Sequence, residues 1–272
     1  MSIAEFLSYA FVQKALIAGV LIAVITAVLG VFLVLKRLSL IGDSLSHVAL
    51  SGIALGLITN TSPVFMALPV VMLSSLGIYK ISRSAKVHTD GALGIIAAAG
   101  IALGLILSTL AGGFNVDLLS FLFGSILTVT LNEIILAAVL LLIIFALVYF
   151  FYNDLIAITF DENFAKTLGV NTEKINIILV LITAAAVVIA LKVAGIMLVS
   201  AMIIIPPTAA LQLAKTFRRA LLLAAGFSAG AVILGIYSAF VFNMPSGAMI
   251  ISADILILVI TTLMRSYALK KR

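Results

Sequence analysis

Long apolar runs, repeated along nearly the whole chain, constrain the fold more than any other feature. Of the 272 residues, 64% are hydrophobic and only 10% are charged, whereas soluble domains carry about 25% charged residues. A membrane-spanning helix needs about 20 mostly apolar residues. Runs of that length predict spans at residues 15–35, 39–59, 63–82, 91–113, 131–152, 174–191, 193–214, 220–241 and 246–264. We therefore expect an all-α, polytopic protein in membrane lipid, with about nine transmembrane helices or, alternatively, eight.

The basic residues predict the orientation of these spans. If the first span runs from outside to inside, 14 of the 16 Lys and Arg residues fall in inner segments, and only Lys14 and Lys192 fall elsewhere. Cytoplasmic loops carry such an excess of Lys and Arg. We therefore expect the N-terminus outside and the C-terminus inside. No aromatic and basic stripe accompanies the charge, so nucleic acid is not an expected partner.

Several absences limit what the chain can do by itself. It has no cysteine, which excludes disulfides, thiolate metal sites and cysteine nucleophiles. It has no G-x-x-x-x-G-K-[ST] phosphate loop, so energy from ATP would have to come from another chain. We predict a single transmembrane domain over residues 1–272, no signal peptide and no enzymatic activity.

Asp43 and His47 are the strongest candidates for a functional site. A charged side chain inside a span is costly, and it is a functional hypothesis by default. The spacing of four residues places the carboxylate and the imidazole on one helix face, where they can bind a divalent transition metal. Ser46, with Ser44 and Ser51, would line a polar path or hydrogen-bond to the pair. The alternative is an Asp–His hydrogen bond that only stabilises the helix.

Two other positions within spans stand out. Asp254 lies in the last span and would either help to conduct cations or bond with Ser252, a backbone group or water. Pro206 and Pro207 interrupt the seventh span, where the missing amide donors predict a break or kink. Broken helices often line transport sites, and a simple packing kink is the alternative.

An inner segment at about residues 160–170 has the pattern of a short amphipathic helix. Large apolar residues recur at a spacing of four, at Phe160, Phe164 and Leu168. Asp161 and Glu162 suit the first turn of this helix, and Gly169 suits its end. The apolar stripe needs a cover, either the membrane surface or a groove on a partner protein.

Three G-x-x-x-G pairs lie within predicted spans. They are Gly52/Gly56, Gly100/Gly104 and Gly226/Gly230. Such pairs let helix backbones approach closely. Packing within the chain is expected for most of them, and one pair is a candidate for contact with a second copy.

Several motifs occur together in a fixed order. They are residues 36–47 leading into 52–56, residues 122–127, Phe160 and Asp161 with Ala165 and Gly169, residues 193–200 through Pro206, and residues 245–248. In this order they resemble the membrane permease subunits of ABC importers for zinc, manganese and iron, along nearly the whole chain.

The resemblance implies an assembly and a mechanism. The chain would form a homodimer with two cytoplasmic ATPase subunits and an extracytoplasmic metal-binding protein, in the inner or plasma membrane of a prokaryote. Asp43 and His47 would contact the transported metal, and no cofactor would be bound permanently. The segment at about 160–170 would be the coupling helix that docks on the ATPase, through Phe160, Asp161, Glu162, Phe164, Ala165, Leu168 and Gly169. ATP binding and hydrolysis would drive alternating access.

The residues leave the transported metal open, and two other classes of protein are alternatives to the importer. Ser51 occupies a position where manganese and iron relatives more often carry proline, which favours zinc. The competing class is an ion-coupled secondary transporter in which Asp43 and Asp254 carry protons or sodium. A purely structural membrane subunit would leave the Asp43–His47 pair unexplained.

Overall fold

The computed structural model describes residues 8–83, 88–113, 121–122, 124, 129–196 and 198–270. These residues form helices joined by short turns, and none of them lies in a strand. The helices in chain order are α1 (Ala10–Leu35), α2 (Ile41–Ile58), α3 (Pro63–Ser82), α4 (Thr89–Leu110), α5 (Leu131–Phe150), α6 (Tyr152–Phe160), α7 (Glu162–Thr167), α8 (Thr172–Ala194), α9 (Val199–Leu213), α10 (Phe217–Phe242) and α11 (Ser246–Lys270).

Eight of these helices are long and apolar enough to cross a membrane, which confirms the all-α, multispan prediction. The exception among the expected spans is the seventh, at 193–214. Gly195 adopts a positive φ of 84° and ends α8, so only the 15 residues of α9 remain helical. At 1.5 Å per residue α9 is about 22 Å long, shorter than the ~30 Å hydrocarbon core. The exact span count and the orientation stay predictions.

The two adjacent prolines do not break the helix that contains them. Helix α9 runs through Pro206 and Pro207 to Leu213, and the interruption lies earlier, between the end of α8 at Ala194 and the start of α9 at Val199. Proline 207 cannot donate to the carbonyl of Ile203. That carbonyl instead lies against α1, where its oxygen leaves no room for a Cβ on Gly30. The prolines thus lie in a close contact between α9 and α1.

Helix α2 is held between α3 and α4 by contacts that reach the backbone. A Cβ on Gly52 would lie 2.5 Å from the Cα of Ala67 in α3. A Cβ on Gly100 of α4 would lie 2.7 Å from the Cα of Val48. Gly56 and Gly104 make similar contacts with these neighbours, so two of the three G-x-x-x-G pairs pack within the chain. Gly226 and Gly230 have no described atom within 4 Å of an added Cβ.

Ion pairs lie at both ends of the helix bundle. At one end, Arg83 and Lys166 form ion pairs with Glu162 at 3.0 and 3.2 Å. At the other, Lys192 pairs with Glu133 at 3.4 Å and lies 4.9 Å from the ring centre of Phe121. Two of the predicted inner segments, the end of α3 and residues 160–170, therefore lie together at one end of the bundle.

Two motifs that are far apart in sequence are neighbours in the fold. The amide of Ile196 donates to the carbonyl of Phe121 at 2.9 Å. A Cβ on Gly124 would lie 2.6 Å from the carbonyl oxygen of Val193. Phe121 and Gly124 therefore lie against the end of α8. Residues 123 and 125–127 lie outside the described part of the chain.

Candidate metal site and inner helical loop

A tight turn leads from α1 into the helix that carries Asp43 and His47. Arg37 adopts a left-handed conformation with φ of 59°. The amide of Leu38 donates to the Leu33 carbonyl at 2.8 Å, and that of Arg37 donates to the Val34 carbonyl at 3.1 Å. These two bonds are the Schellman pattern that ends many helices. Helix α2 starts four residues after Arg37, and Asp43 lies in its first turn, where a negative charge is favourable.

Asp43 and His47 face each other across one helical turn. The Oδ2 atom of Asp43 lies 3.7 Å from the Nε2 atom of His47, which is too long for a hydrogen bond. Zinc bonds of about 2.0–2.2 Å place two ligand atoms of a tetrahedral site roughly 3.3–3.6 Å apart. The spacing is therefore close to that of two ligands of one metal, and the interpretation as an internal hydrogen bond is not supported.

Asp43 and His47 are partly exposed on a helix most of whose other residues are buried. The side chain of His47 is 30% exposed and that of Asp43 is 46% exposed. Helix α9 lies beside them, since a Cβ on Gly42 would come within 2.8 Å of the Cδ1 atom of Ile203. Within the described residues no group of three His, Cys, Asp or Glu side chains is placed to hold a metal. Asp43 and His47 therefore offer at most two protein ligands from the described part of this chain.

The neighbouring serines are used by their own helix. Ser46 is fully buried and its hydroxyl donates to the carbonyl of Gly42 at 2.7 Å. Ser44 and Ser51 donate in the same way to Leu40 and Val48. The burial of Ser46 argues against the predicted place on a polar path. The hydroxyl of Ser51 gives no structural reason to prefer one metal.

Asp254 is buried far along the chain from this pair, in α11. It is 2% exposed, and neither carboxylate oxygen has a hydrogen-bond partner among the described residues. The expected partner Ser252 donates instead to the carbonyl of Ala248 at 2.8 Å. Helix α11 packs against α10, α9 and α8. The carboxyl group of Asp254 therefore lies inside the bundle, and its predicted role in transport stays a prediction, as does that of Pro206.

The inner segment at 160–170 is an elbow of two helices, so the prediction of one helix carrying all three apolar residues is wrong. Phe160 ends α6, and Asp161 has extended backbone angles. The Oδ1 atom of Asp161 accepts from the amides of Asn163 and Phe164 at 2.9 and 3.0 Å. Asp161 is therefore the N-cap of α7, as an acidic first turn indicated, and capping requires a non-helical residue there.

Helix α7 has two distinct faces. The side chains of Phe164 and Leu168 are 57% and 61% exposed, whereas Ala165 is fully buried against the bundle. Gly169 has a φ of 80° and ends the helix, as predicted. The apolar face points away from the chain, so the described structure leaves it without a cover.

Glu162 faces inward, opposite to the exposed face of α7. Its carboxylate accepts from Asn176 of α8 at 3.1 Å and from Arg83 at 3.0 Å, and Lys36 donates to the side-chain oxygen of Asn176. Sequence reasoning missed Asn176 and Lys36, although a lone amide at the start of an apolar span was a usable signal. Burial opposes ionisation of Glu162, but Lys166, with Lys36 and Arg83, outweighs it and holds the pKa of Glu162 below its usual value.

The fold and the pair define a class of protein: a multispan membrane protein with a polar, ligand-type pair inside a span, as transport proteins have. Comparison with known proteins narrows the class. The sequence matches the ABC 3 transport family over residues 8–265. The chain belongs to this family, and it is a multi-pass protein of a prokaryotic cell membrane.

Individual relatives agree along most of the chain. It is 33% identical over 251 residues to the "Manganese transport system membrane protein MntC" of Listeria monocytogenes, covering 92% of this chain and 89% of that one. It is 30% identical over 202 residues to the "High-affinity zinc uptake system membrane protein ZnuB" of Haemophilus influenzae, covering 74% and 77%. A solved structure, PsaBC from Streptococcus pneumoniae in complex with Fab, matches with a TM-score of 0.86 and 29% identity, over 96% of this chain and 95% of that chain.

Proposed function

We propose that this chain is the permease subunit of an ATP-driven ABC importer that moves a divalent transition metal into the cytoplasm. The single observation that carries the proposal is the Asp43–His47 pair, with its ligand-like spacing of 3.7 Å and its partial exposure. The names of the relatives, a manganese and a zinc transport protein, support the same substrate class. The metal is the cargo, so a two-ligand contact per chain suits binding that must later be released.

The proposed metal is zinc or manganese. A carboxylate and an imidazole without sulfur suit both ions. The residue pattern around Ser51 favours zinc, whereas the relative named for manganese matches a longer stretch at higher identity than the one named for zinc. The transport experiment below decides between them, with ferrous iron as the third ion.

The proposed function requires further chains, because one chain supplies two candidate ligands and has no phosphate loop. A homodimer would bring two Asp43–His47 pairs together and supply four ligands. Two ATPase subunits would bind the exposed face of α7, where Phe164 and Leu168 are uncovered. An extracytoplasmic binding protein would deliver the metal. Closure and opening of the ATPase pair would then move the bundle between outward and inward access.

The test is metal uptake into proteoliposomes that contain this chain with its ATPase and binding protein. Asp43→Ala and His47→Ala should each lower uptake at least about tenfold, because each removes a ligand. His88→Ala is the matched control, since His88 is the only other histidine and is exposed. Comparing zinc, manganese and ferrous iron in the wild-type complex identifies the cargo.

Normal uptake by both variants would disprove the proposed metal site. Uptake driven by a proton or sodium gradient without ATP would replace the importer by the ion-coupled alternative.

A further inference from the structure

Glu162 of α7 binds to two other helices of the bundle, α3 and α8. One carboxylate oxygen, Oε1, contacts Arg83 at the end of α3 at 3.0 Å, Lys166 at 3.2 Å and the hydroxyl of Thr172 at 3.5 Å. The other, Oε2, accepts from the Nδ2 atom of Asn176 at 3.1 Å. Helix α7 therefore has one face toward the proposed ATPase and the opposite face in contact with the transmembrane bundle.

Asn176 continues the chain of hydrogen bonds into the bundle. It is 6% exposed in the second turn of α8. Its Oδ1 atom accepts from the ammonium of Lys36 while its Nδ2 atom donates to Glu162. A carboxylate can only accept and an ammonium can only donate, so the amide is the one group here that serves both with a single orientation. Asn176 is thus a bridge between two charged side chains of opposite sign.

Lys36 lies next to the turn that leads to the metal pair. It is the C-terminal cap of α1, one residue before the left-handed Arg37 and seven before Asp43. The turn between them is fixed by the Schellman hydrogen bonds of Arg37 and Leu38. A displacement of the Lys36 ammonium therefore reaches the start of α2 through a short, rigid piece of chain.

We infer that Glu162, Asn176 and Lys36 are positioning residues that transmit movement of α7 to the Asp43–His47 pair. The inference rests on the proposed function, because it assigns α7 to the ATPase and the pair to the metal. In this relay the ATPase moves α7, Glu162 moves with it, and the Asn176 amide passes the displacement to the α1–α2 turn. None of the three residues needs to touch the metal.

The test removes the bridge and leaves both ends in place. Asn176→Leu keeps the size of the side chain and removes both hydrogen bonds. Thr183→Val is the matched control, since Thr183 is a buried polar residue of the same helix whose hydroxyl donates to the carbonyl of Leu179 within that helix. The readouts are metal ions transported per ATP hydrolysed by the assembled complex, and hydrogen exchange of peptides that cover residues 36–43.

We expect Asn176→Leu to lower the metal-to-ATP ratio about five- to tenfold, with assembly intact, and to speed exchange in the α1–α2 turn. Thr183→Val should change neither. Lys36→Met combined with Asn176→Leu should lose no more than Asn176→Leu alone, because both changes cut the same relay. If Asn176→Leu does not fold, Asn176→Asp replaces it, since an aspartate keeps the acceptor for Lys36 and removes the donor to Glu162.

The relay is overturned if Asn176→Leu has the same metal-to-ATP ratio and the same hydrogen-exchange rate in the α1–α2 turn as Thr183→Val. Additive losses in the double variant Lys36→Met and Asn176→Leu would also overturn it. Absence of ATP-linked metal uptake by the wild-type complex would instead refute the proposed function. In that case the exchange measurement still decides whether Asn176 holds the turn.

Discussion

Lys36 carries an ammonium group that the fold buries at the end of α1. Burial lowers its pKa to about 8, against the raising effect of Glu162 and together with the repulsion of Arg83. The hydrogen bond to Asn176 satisfies one of its donors. Near pH 8 this side chain therefore gains or loses a proton. The net charge of the hydrogen-bonded network of Lys36, Asn176 and Glu162 changes with it.

The lowered pKa of Lys36 predicts a pH dependence of stability. The native state releases this proton near pH 8, whereas the unfolded chain holds it up to the ordinary value of 10.5. Between these values the unfolded state binds more protons, so the contribution of Lys36 to stability rises with pH. We expect the thermal midpoint of the detergent-solubilised wild type to rise from pH 7.5 to 9.5 relative to that of Lys36→Met.

The control for this measurement is Lys80→Met, a change at an exposed lysine near the end of α3. Its thermal midpoint should follow that of the wild type at every pH. Parallel curves for the wild type and Lys36→Met would show that the Lys36 ammonium is not buried as described.

At the scale of single elements, α7 makes the sharpest prediction. Phe164→Asp places a charge in the centre of its exposed apolar face. Burial of an aromatic side chain in a partner contributes roughly 1.5–3 kcal/mol, so the change should weaken ATPase binding at least about tenfold. Co-purification of the ATPase with the tagged permease, or titration in detergent, measures the loss.

Asn163→Asp is the matched control for Phe164→Asp, because it adds the same charge one position away on the same short helix, at an exposed polar residue. It should bind the ATPase nearly as well as the wild type. Equal affinity of all three proteins would show that the apolar face of α7 meets something other than the ATPase, such as the membrane surface.

The elements differ in how much of them the sequence predicts. Apolar length was enough for the long helices, and a spacing of four residues was enough to place Asp43 and His47 on one face. The same spacing misled at Phe160 and Phe164, because Asp161 between them caps α7 and breaks the helix. Periodicity counts positions, but it cannot detect a residue that leaves the helical conformation in order to cap.

The hydrogen bond between Lys36 and Asn176 shows a second limit on what the sequence can predict. Lys36 and Asn176 are 140 positions apart in the chain, and no local pattern connects them. In the sequence Lys36 is one more basic residue in an inner turn, used for the predicted orientation and as the first residue of the motif 36–47. Its pairing depends on α1 and α8 packing side by side, which is a property of the tertiary structure.

For the whole molecule, the orientation with the N-terminus outside stays a prediction from the distribution of Lys and Arg along the sequence. The absence of cysteine makes this easy to test, because each introduced thiol is the only one. Ser62→Cys, in the exposed turn before α3, should react with a membrane-impermeant maleimide on intact cells. His88→Cys, exposed before α4, should react only after the cells are opened. The reverse pattern would invert the topology.

The contacts of Gly52 and Gly100 also bear on how the protein moves. Where backbone touches backbone there is no flexible side chain between two helices that could yield, and close-packed surfaces deform little. Helices α2, α3 and α4 are therefore expected to travel as one rigid body. If Asp43 and His47 bind the transported metal as proposed, exposing them to the other side of the membrane would require a displacement of this three-helix block, on the microsecond-to-millisecond timescale of collective motions, and not a rotation of individual side chains.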